Sequence, residues 1–259
     1  MEDIIFTIHD RPGRDYSPVK TAALIEELRK FANLSLNPLP EYQIFSNADD
    51  KVVVTAHVEK SGGGRGELLA FTSAVMITIP TLPEAEREVL HTGLTVVAPE
   101  LRRKGMLVQL FVRLILHVYG TRPTNSRLWV TSLAEVPNSL VHIAMFFSDV
   151  FPSPSKPVPT ETDLLIARAI DHEHRDKMLI SPTAVFDEEK FVFKGSNRGK
   201  GVVFMKNVDD PQNWHRNKAA NDFYRALLKD DGDEVLQVAW IDEQKIAQSL
   251  KALGPKARI

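Results

Sequence analysis

The sequence predicts a mixed α/β or α+β fold, and three features predict it. Strand and helix patterns open the chain, and an antiparallel hairpin follows at residues 51–79 around a glycine-rich turn. A strand–helix–strand–helix run then covers residues 88–147, before further strands and helices. That order is not a strict βαβα alternation, so the expected sheet is mixed rather than parallel throughout. No repeat of the solenoid kind is present.

Taken in order, residues 4–8 form a short β-rich run ended by Asp10-Arg11-Pro12-Gly13. Ser17-Pro18 opens a helix whose Ala22, Leu24, Ile25, Leu28 and Phe31 share one face. Two prolines in residues 33–40 break it. Strands at 51–59 and 67–79 flank Ser61-Gly-Gly-Gly-Arg-Gly66, a hairpin turn. That loop opens no helix, which argues against a phosphate cradle. Residues 80–83 interrupt the sheet, and 88–97 form the next strand.

Residues 103–119 are strongly amphipathic, with Leu107, Leu110, Phe111, Leu114, Ile115 and Val118 at helical spacing. Gly120 is the expected C-cap. A strand at 127–133 and a helix at 138–147 follow. The proline-rich stretch 151–159 is an extended connector and the expected boundary. It separates a core of residues 1–151 from a C-terminal extension, 152–259, that completes the sheet and helps shape an acceptor pocket; a single large domain is the alternative. Beyond it the sequence predicts a helix at 161–175, strands at 191–194 and 202–205 joined by a glycine-rich turn, a helix at 217–229, a strand at 235–241 and a helix at 243–253.

Composition narrows the function. The 259 residues are 43% apolar and 25% charged with a net charge of −2, so a sizeable core is affordable and a whole-chain basic footprint for nucleic acid is absent. There are no cysteines, which excludes disulfides, cysteine nucleophiles and thiolate metal sites. The N-terminus has no signal-peptide pattern, and the apolar run from 106 to 119 is broken by Gln109, Arg113 and His117. A cytoplasmic protein without a membrane or nucleic-acid partner is the expectation.

The informative stretch is Leu94-Thr-Val-Val-Ala-Pro-Glu-Leu-Arg-Arg-Lys-Gly-Met-Leu-Val. An apolar strand ends at a proline, and a basic, glycine-containing turn opens a helix. The first amides of a helix lack internal partners and lie at the positive end of its dipole. A pyrophosphate fits such a place. Gly105 presents no Cβ to an approaching anion, and Arg102, Arg103 and Lys104 add charge-assisted contacts.

This segment resembles the pyrophosphate-binding motif of the GNAT superfamily, the acyl-CoA-dependent N-acyltransferases: Val-x-Pro-x-x-Arg-x-x-Gly-x-Gly/Ala after a strand and before a helix. Val97, Pro99, Arg102 and Gly105 match in register, whereas Leu107 stands where the family has Gly or Ala. The resemblance implies a central, mostly antiparallel mixed sheet flanked by helices. It also implies acetyl-CoA, or another acyl-CoA, as co-substrate and no metal. By the same resemblance, Gly93, Leu94, Thr95, Val96 and Val97 receive the pantetheine arm as an added strand, and a backbone N–H near Gly93 polarises the acyl carbonyl. The binding set then continues through Arg102, Arg103, Lys104, Gly105, Met106 and Leu107. The acceptor implied is an amine of a small molecule or peptide.

The family's second region, a strand, an Asn and a helix bearing a tyrosine acid, has two counterparts here. Asn138 opens the one favoured by chain order, but Phe146 and Phe147 occupy its acid region. Asn217-Lys-Ala-Ala220-Asn-Asp-Phe-Tyr224 fits the internal spacing better, which makes Tyr224 the candidate acid, with a helix-face aromatic in a core as the alternative. For the base, His91 alternates along its strand with Gly93 and Thr95 and shares their face. A hydrogen-bonded structural histidine is the alternative.

Other constellations carry less. His172 and His174 point to different sides of a helix and have no third ligand. Gly195-Ser-Asn-Arg-Gly-Lys-Gly lacks the spacing and the Ser or Thr of a P-loop. Trp214-His215 reads as helix-entry packing, with pocket lining as the alternative, and 230–234 as an exposed acidic turn. The leading expectation is direct acyl transfer to an amine in a ternary complex. The alternatives keep the fold with different biosynthetic chemistry, or as a non-catalytic binding protein.

Overall fold

A computed structural model of the chain describes residues 3–36, 39, 45, 48–123, 126–198, 206–241 and 243–253. It divides into two compact units, and each is assembled from separate stretches of chain. The first holds Met1–Met76, Gly93–Thr124 and Ile246–Ile259; the second holds Ile77–Thr92 and Asn125–Lys245. The proline-rich connector lies within the second unit.

In the first unit, β1 (Ile4–Asp10) pairs antiparallel with β2 (Lys51–Lys60), which pairs antiparallel with β3 (Gly64–Thr78). Strand β4 (Glu88–Val97) returns along β3: Ala98 N–H donates to the Leu69 carbonyl, and Thr95 and Thr72 share a 2.7 Å hydroxyl bond. Helix α1 (Pro18–Asn33) is capped by Ser17, whose hydroxyl accepts from Lys20 N–H. Its Leu24, Leu28 and Ala32 pack on Val53, Phe71, Leu94 and Val96. Alternation along β4 therefore sets Gly93 and Thr95 on the opposite face. Helix α2 (Met106–Gly120) packs against β2.

In the second unit, β4 runs parallel to β5 (Leu128–Ala134), with register Leu90↔Val130, His91↔Thr131 and Thr92↔Ser132. Helix α3 (Pro137–Phe146) and β6 (Ser148–Phe151) follow, then α4 (Glu161–Glu173), β7 (Val185–Asp187), β8 (Val192–Lys194), α5 (Lys218–Leu227) and β9 (Glu234–Ile241). Although β9 comes last, it is hydrogen-bonded antiparallel to β5, β6 and β8. The long segment between β6 and β9 carries β7 and β8 of the same sheet, β7 pairing antiparallel with β8 and β8 with β9. Thr160 and Asp163 form a reciprocal capping box at the start of α4. Tyr224, Leu228, Val235, Leu140 and Val141 fill the core between α3 and α5. The last helix is α6 (Glu243–Leu253).

The expected mixed, mostly antiparallel sheet with flanking helices is present, and differences are local. Helix α2 begins at Met106 rather than 103, because Pro99–Leu101 forms a 3-10 turn and Arg103 has φ 61°. Gly120 is the last helical residue, not the cap; Thr121 follows it and its hydroxyl donates to the Val118 carbonyl at 2.8 Å. Helix α4 stops at Glu173, so the expected extension to 175 does not form. The strand expected at 202–205 lies outside the described residues.

Candidate active site

The strand–turn–helix segment lies in the first unit. After Val97 the chain makes a 3-10 turn at Pro99–Leu101, then two left-handed residues, Arg103 at φ 61° and Gly105 at φ 82°, before α2 begins. Glycine takes such a φ without penalty, whereas an L side chain is strained by it. Gly105 is exposed, and a Cβ placed there would meet nothing within 4 Å. The family-like glycine is thus open to solvent.

The turn is defined by its internal bonds. Leu101, Arg102 and Lys104 N–H donate to the carbonyls of Ala98, Pro99 and Leu101, and Gln109 N–H donates to Gly105. Among the described residues, the N–H groups of Arg103, Gly105, Met106, Leu107 and Val108 have no acceptor. No side chain caps the helix. These donors stand at the positive end of a 15-residue helix, beside the exposed Arg103 and Lys104. Among the described residues, neither cation has a hydrogen-bond or ion-pair partner. The arrangement suits a polyvalent anion.

Arg102 is different. Its Nε donates to the Val97 carbonyl at 3.2 Å and its Nη2 to Ser35 Oγ at 3.2 Å. Met106 is buried and Leu107 half-buried.

Along β4, the bonding faces β3. Ser73 Oγ donates to the Leu94 carbonyl at 3.2 Å, and Val96 and Leu94 are buried against α1. Gly93 is half-buried where a Cβ would lie 2.9 Å from Ser73 Oγ. A side chain here would crowd Ser73, whose carbonyl oxygen would lie 3.1 Å from the Cβ.

The remaining expected residues lie in the second unit. His91 is 2% exposed, and its Nδ1 is 3.0 Å from Thr131 Oγ1. Asn138 sits in the first turn of α3, its carbonyl accepting from His142 Nδ1 at 2.6 Å. Tyr224 is fully buried; its hydroxyl donates to the Pro152 carbonyl and accepts from Gln237 Nε2 at 2.8 Å. Burial pushes its phenol well above the ordinary value. This is the geometry of a satisfied core tyrosine.

One ionisable group was not singled out by the sequence. Glu135 follows β5 and is 8% exposed. It accepts from Asn197 Nδ2 at 2.6 Å and from Lys206 N–H. Burial, with a contribution from nearby Glu234, pushes its carboxyl up to about 7. No local pattern marks it, since Asn197 is 62 residues away.

The discounted groups take structural positions. His174 Nε2 donates to the Thr78 carbonyl, and His172 is exposed beside Asp171. Among the described residues, no group of three or more His, Asp or Glu is placed to hold a metal ion. No helix among them is long and apolar enough to cross a membrane.

No family model matches the sequence, and no curated protein sequence matches it. Several solved structures are similar to it. One is Arabidopsis thaliana NAA60 in complex with a bisubstrate analogue: 16% identity, TM-score 0.39, covering 56% of this chain and 83% of that one. Another is the NatC complex bound to Gag peptide and CoA: 16% identity, TM-score 0.39, covering 57% and 85%. A third is the Escherichia coli GNAT family N-acetyltransferase YhbS in complex with CoA: 10% identity, TM-score 0.32, covering 57% and 70%.

Proposed function

We propose that this chain is an acyl-CoA-dependent N-acyltransferase that moves an acyl group from the CoA thioester to an amine. One observation carries the reading: the unpaired N–H groups of residues 103 and 105–108, beside the exposed Arg103 and Lys104, at the end of a strand. A diphosphate provides acceptors for those donors and charge for those cations. Gly105 leaves room for it. The matched residues Val97, Pro99, Arg102 and Gly105 carry the GNAT resemblance in the same turn.

With the diphosphate at the turn, the pantetheine arm extends along residues 93–97 of β4. The close approach of Gly93 to Ser73 fixes the backbone where the acyl carbonyl is polarised. The amine nitrogen attacks that carbonyl carbon, the new C–N bond forms, the C–S bond breaks and CoA leaves as its thiol. The proton that the attacking nitrogen loses passes through the base to the departing sulfur. Proximity of the two bound reactants supplies much of the rate. We assign the proton-accepting role to His91, on β4 two residues before Gly93 and 2% exposed with its Nδ1 on Thr131 Oγ1; an unchanged kcat in His91→Gln leaves it as a hydrogen-bonded structural histidine. We leave Tyr224 out of the chemistry: its hydroxyl donates to the Pro152 carbonyl and accepts from Gln237 Nε2 inside the core.

Release of free thiol from acetyl-CoA, followed across a panel of small amines and peptide N-termini, tests the proposal. Acceptor-dependent release supports it. Binding of acetyl-CoA with no release from any amine would point to other chemistry on the same fold.

A further inference from the structure

We infer that Arg102 is a positioning residue rather than a phosphate ligand, tying the end of β4 to the end of α1 and so holding the turn at residues 98–105 in its anion-receiving shape. The inference rests on the proposed acyl-CoA reading and assigns the roles of its three consecutive cations.

The turn needs an external restraint. Arg103 is a non-glycine residue at φ 61°, a conformation that persists only where its surroundings over-determine it. Its internal bonds are few, two of them 3.3 Å long. Arg102 supplies the restraint with both ends of its guanidinium. Nε reaches back five residues to the Val97 carbonyl, closing the turn on the strand that precedes it. Nη2 reaches Ser35 Oγ, 67 residues away in sequence.

Ser35 is exposed, but its backbone is tied to the end of α1. Its own N–H donates to the Ala32 carbonyl at 3.0 Å, and the next residue's N–H donates to the same carbonyl at 2.9 Å. Ala32 is fully buried, in the cluster that packs α1 on Leu94 and Val96 of β4. The brace therefore runs from a packed helix, through a planar two-armed cation, to the strand on which that helix packs. The planar fork matters, because a lysine ammonium on a flexible stem does not hold two acceptors in a fixed plane. Arg103 and Lys104, exposed and without partners among the described residues, then serve as the cations that meet the phosphates.

The test uses the full chain with Ser35→Ala, Arg102→Lys and the double variant, titrated with acetyl-CoA and assayed at steady state. Ser35→Ala leaves Arg102 and its charge intact. The brace predicts that it weakens acetyl-CoA about three- to tenfold, raising KM while kcat holds. Arg102→Lys weakens binding at least as much although the charge is kept, and the double variant is no worse than Arg102→Lys. Unchanged or tighter binding in Ser35→Ala, together with near-normal binding in Arg102→Lys, would make Arg102 a phosphate ligand and overturn the inference. Amide hydrogen exchange at Leu101 and Lys104 reads the brace without ligand, and Ser35→Ala is expected to speed it. If the wild-type chain ignores acetyl-CoA but exchange still rises in Ser35→Ala, the acyltransferase reading fails while the brace stands. Unchanged exchange with normal acetyl-CoA binding sinks the brace alone.

Discussion

Gly93 lies against Ser73 so closely that a Cβ on residue 93 would stand 2.9 Å from Ser73 Oγ and 3.1 Å from the Ser73 carbonyl oxygen. The hydroxyl can rotate away, but the carbonyl belongs to β3 and cannot move alone. Gly93→Ala therefore forces backbone displacement in the segment assigned to the pantetheine arm. The expected loss is about 1–3 kcal/mol in urea unfolding, together with weaker acetyl-CoA binding. Pairing it with Ser73→Gly should not restore stability, because the carbonyl remains.

Gly105→Ala separates strain from contact. Nothing lies within 4 Å of the added methyl, so no packing opposes it. The φ of 82° still penalises an L residue, by about 1–2 kcal/mol. Chemical denaturation should show that loss, and calorimetry a weaker affinity for acetyl-CoA. A variant as stable as the wild type would mean that the turn readily relaxes.

Tyr224→Phe addresses the tyrosine that sequence spacing nominates as an acid. Removing its hydroxyl leaves one bond of Gln237 Nε2 unmade and frees the Pro152 carbonyl from one partner. A stability loss of about 1–3 kcal/mol is expected, with kcat within a few-fold of wild type. A hundredfold fall in kcat at unchanged stability would return Tyr224 to the reaction.

Stability should depend on pH through two groups of opposite sign. Glu135 rises from 4.5 to about 7, mainly through burial, so the folded state holds its proton more tightly than the unfolded chain. Its contribution is fully present below 4.5 and lost as pH climbs to 7, a span of ~3 kcal/mol. His9 falls from 6.5 to about 4, first through burial and then through Arg65, His57 and Lys20. Its contribution is present above 6.5 and lost as pH drops to 4. The two slopes offset between pH 4.5 and 6.5. Glu135→Gln should expose the His9 slope, making the variant lose stability on acidification across that window. Urea midpoints at pH 4.5 and 6.5 check this, and equal midpoints in the variant would contradict it.

Lys156→Met tests a buried ion pair. Lys156 Nζ is 2.6 Å from Asp163 Oδ2, and the Asp163 side chain is 1% exposed with its Oδ1 already lacking a hydrogen-bond partner. Removing the cation should cost about 3–5 kcal/mol. Lys156→Met with Asp163→Asn should recover part of that loss.

The sequence made local features legible and left long-range ones dark. Val97, Pro99 and Gly105 announce the turn because strand, breaker and helix adjoin along the chain. The hairpin at 51–79 and the Ser17 cap are readable for the same reason. What Arg102 does depends on Ser35, which nothing near Arg102 in the sequence indicates. Glu135 owes its raised carboxyl to burial and to Glu234, both set by tertiary packing. The return of β9 to lie between β5 and β6 follows from pairing across a long intervening segment, which local patterning does not encode. Tyr224 shows the converse: family-like spacing placed it correctly on a helix, but burial decides its chemistry.

The diphosphate site before α2 is tested by calorimetric titration of the purified chain with acetyl-CoA, repeated on Arg103→Ala/Lys104→Ala. Saturable one-to-one binding that weakens at least tenfold in the double variant and falls with added salt is the predicted result. No heat at millimolar acetyl-CoA, or binding indifferent to both cations, would mean that the turn before α2 does not receive the diphosphate.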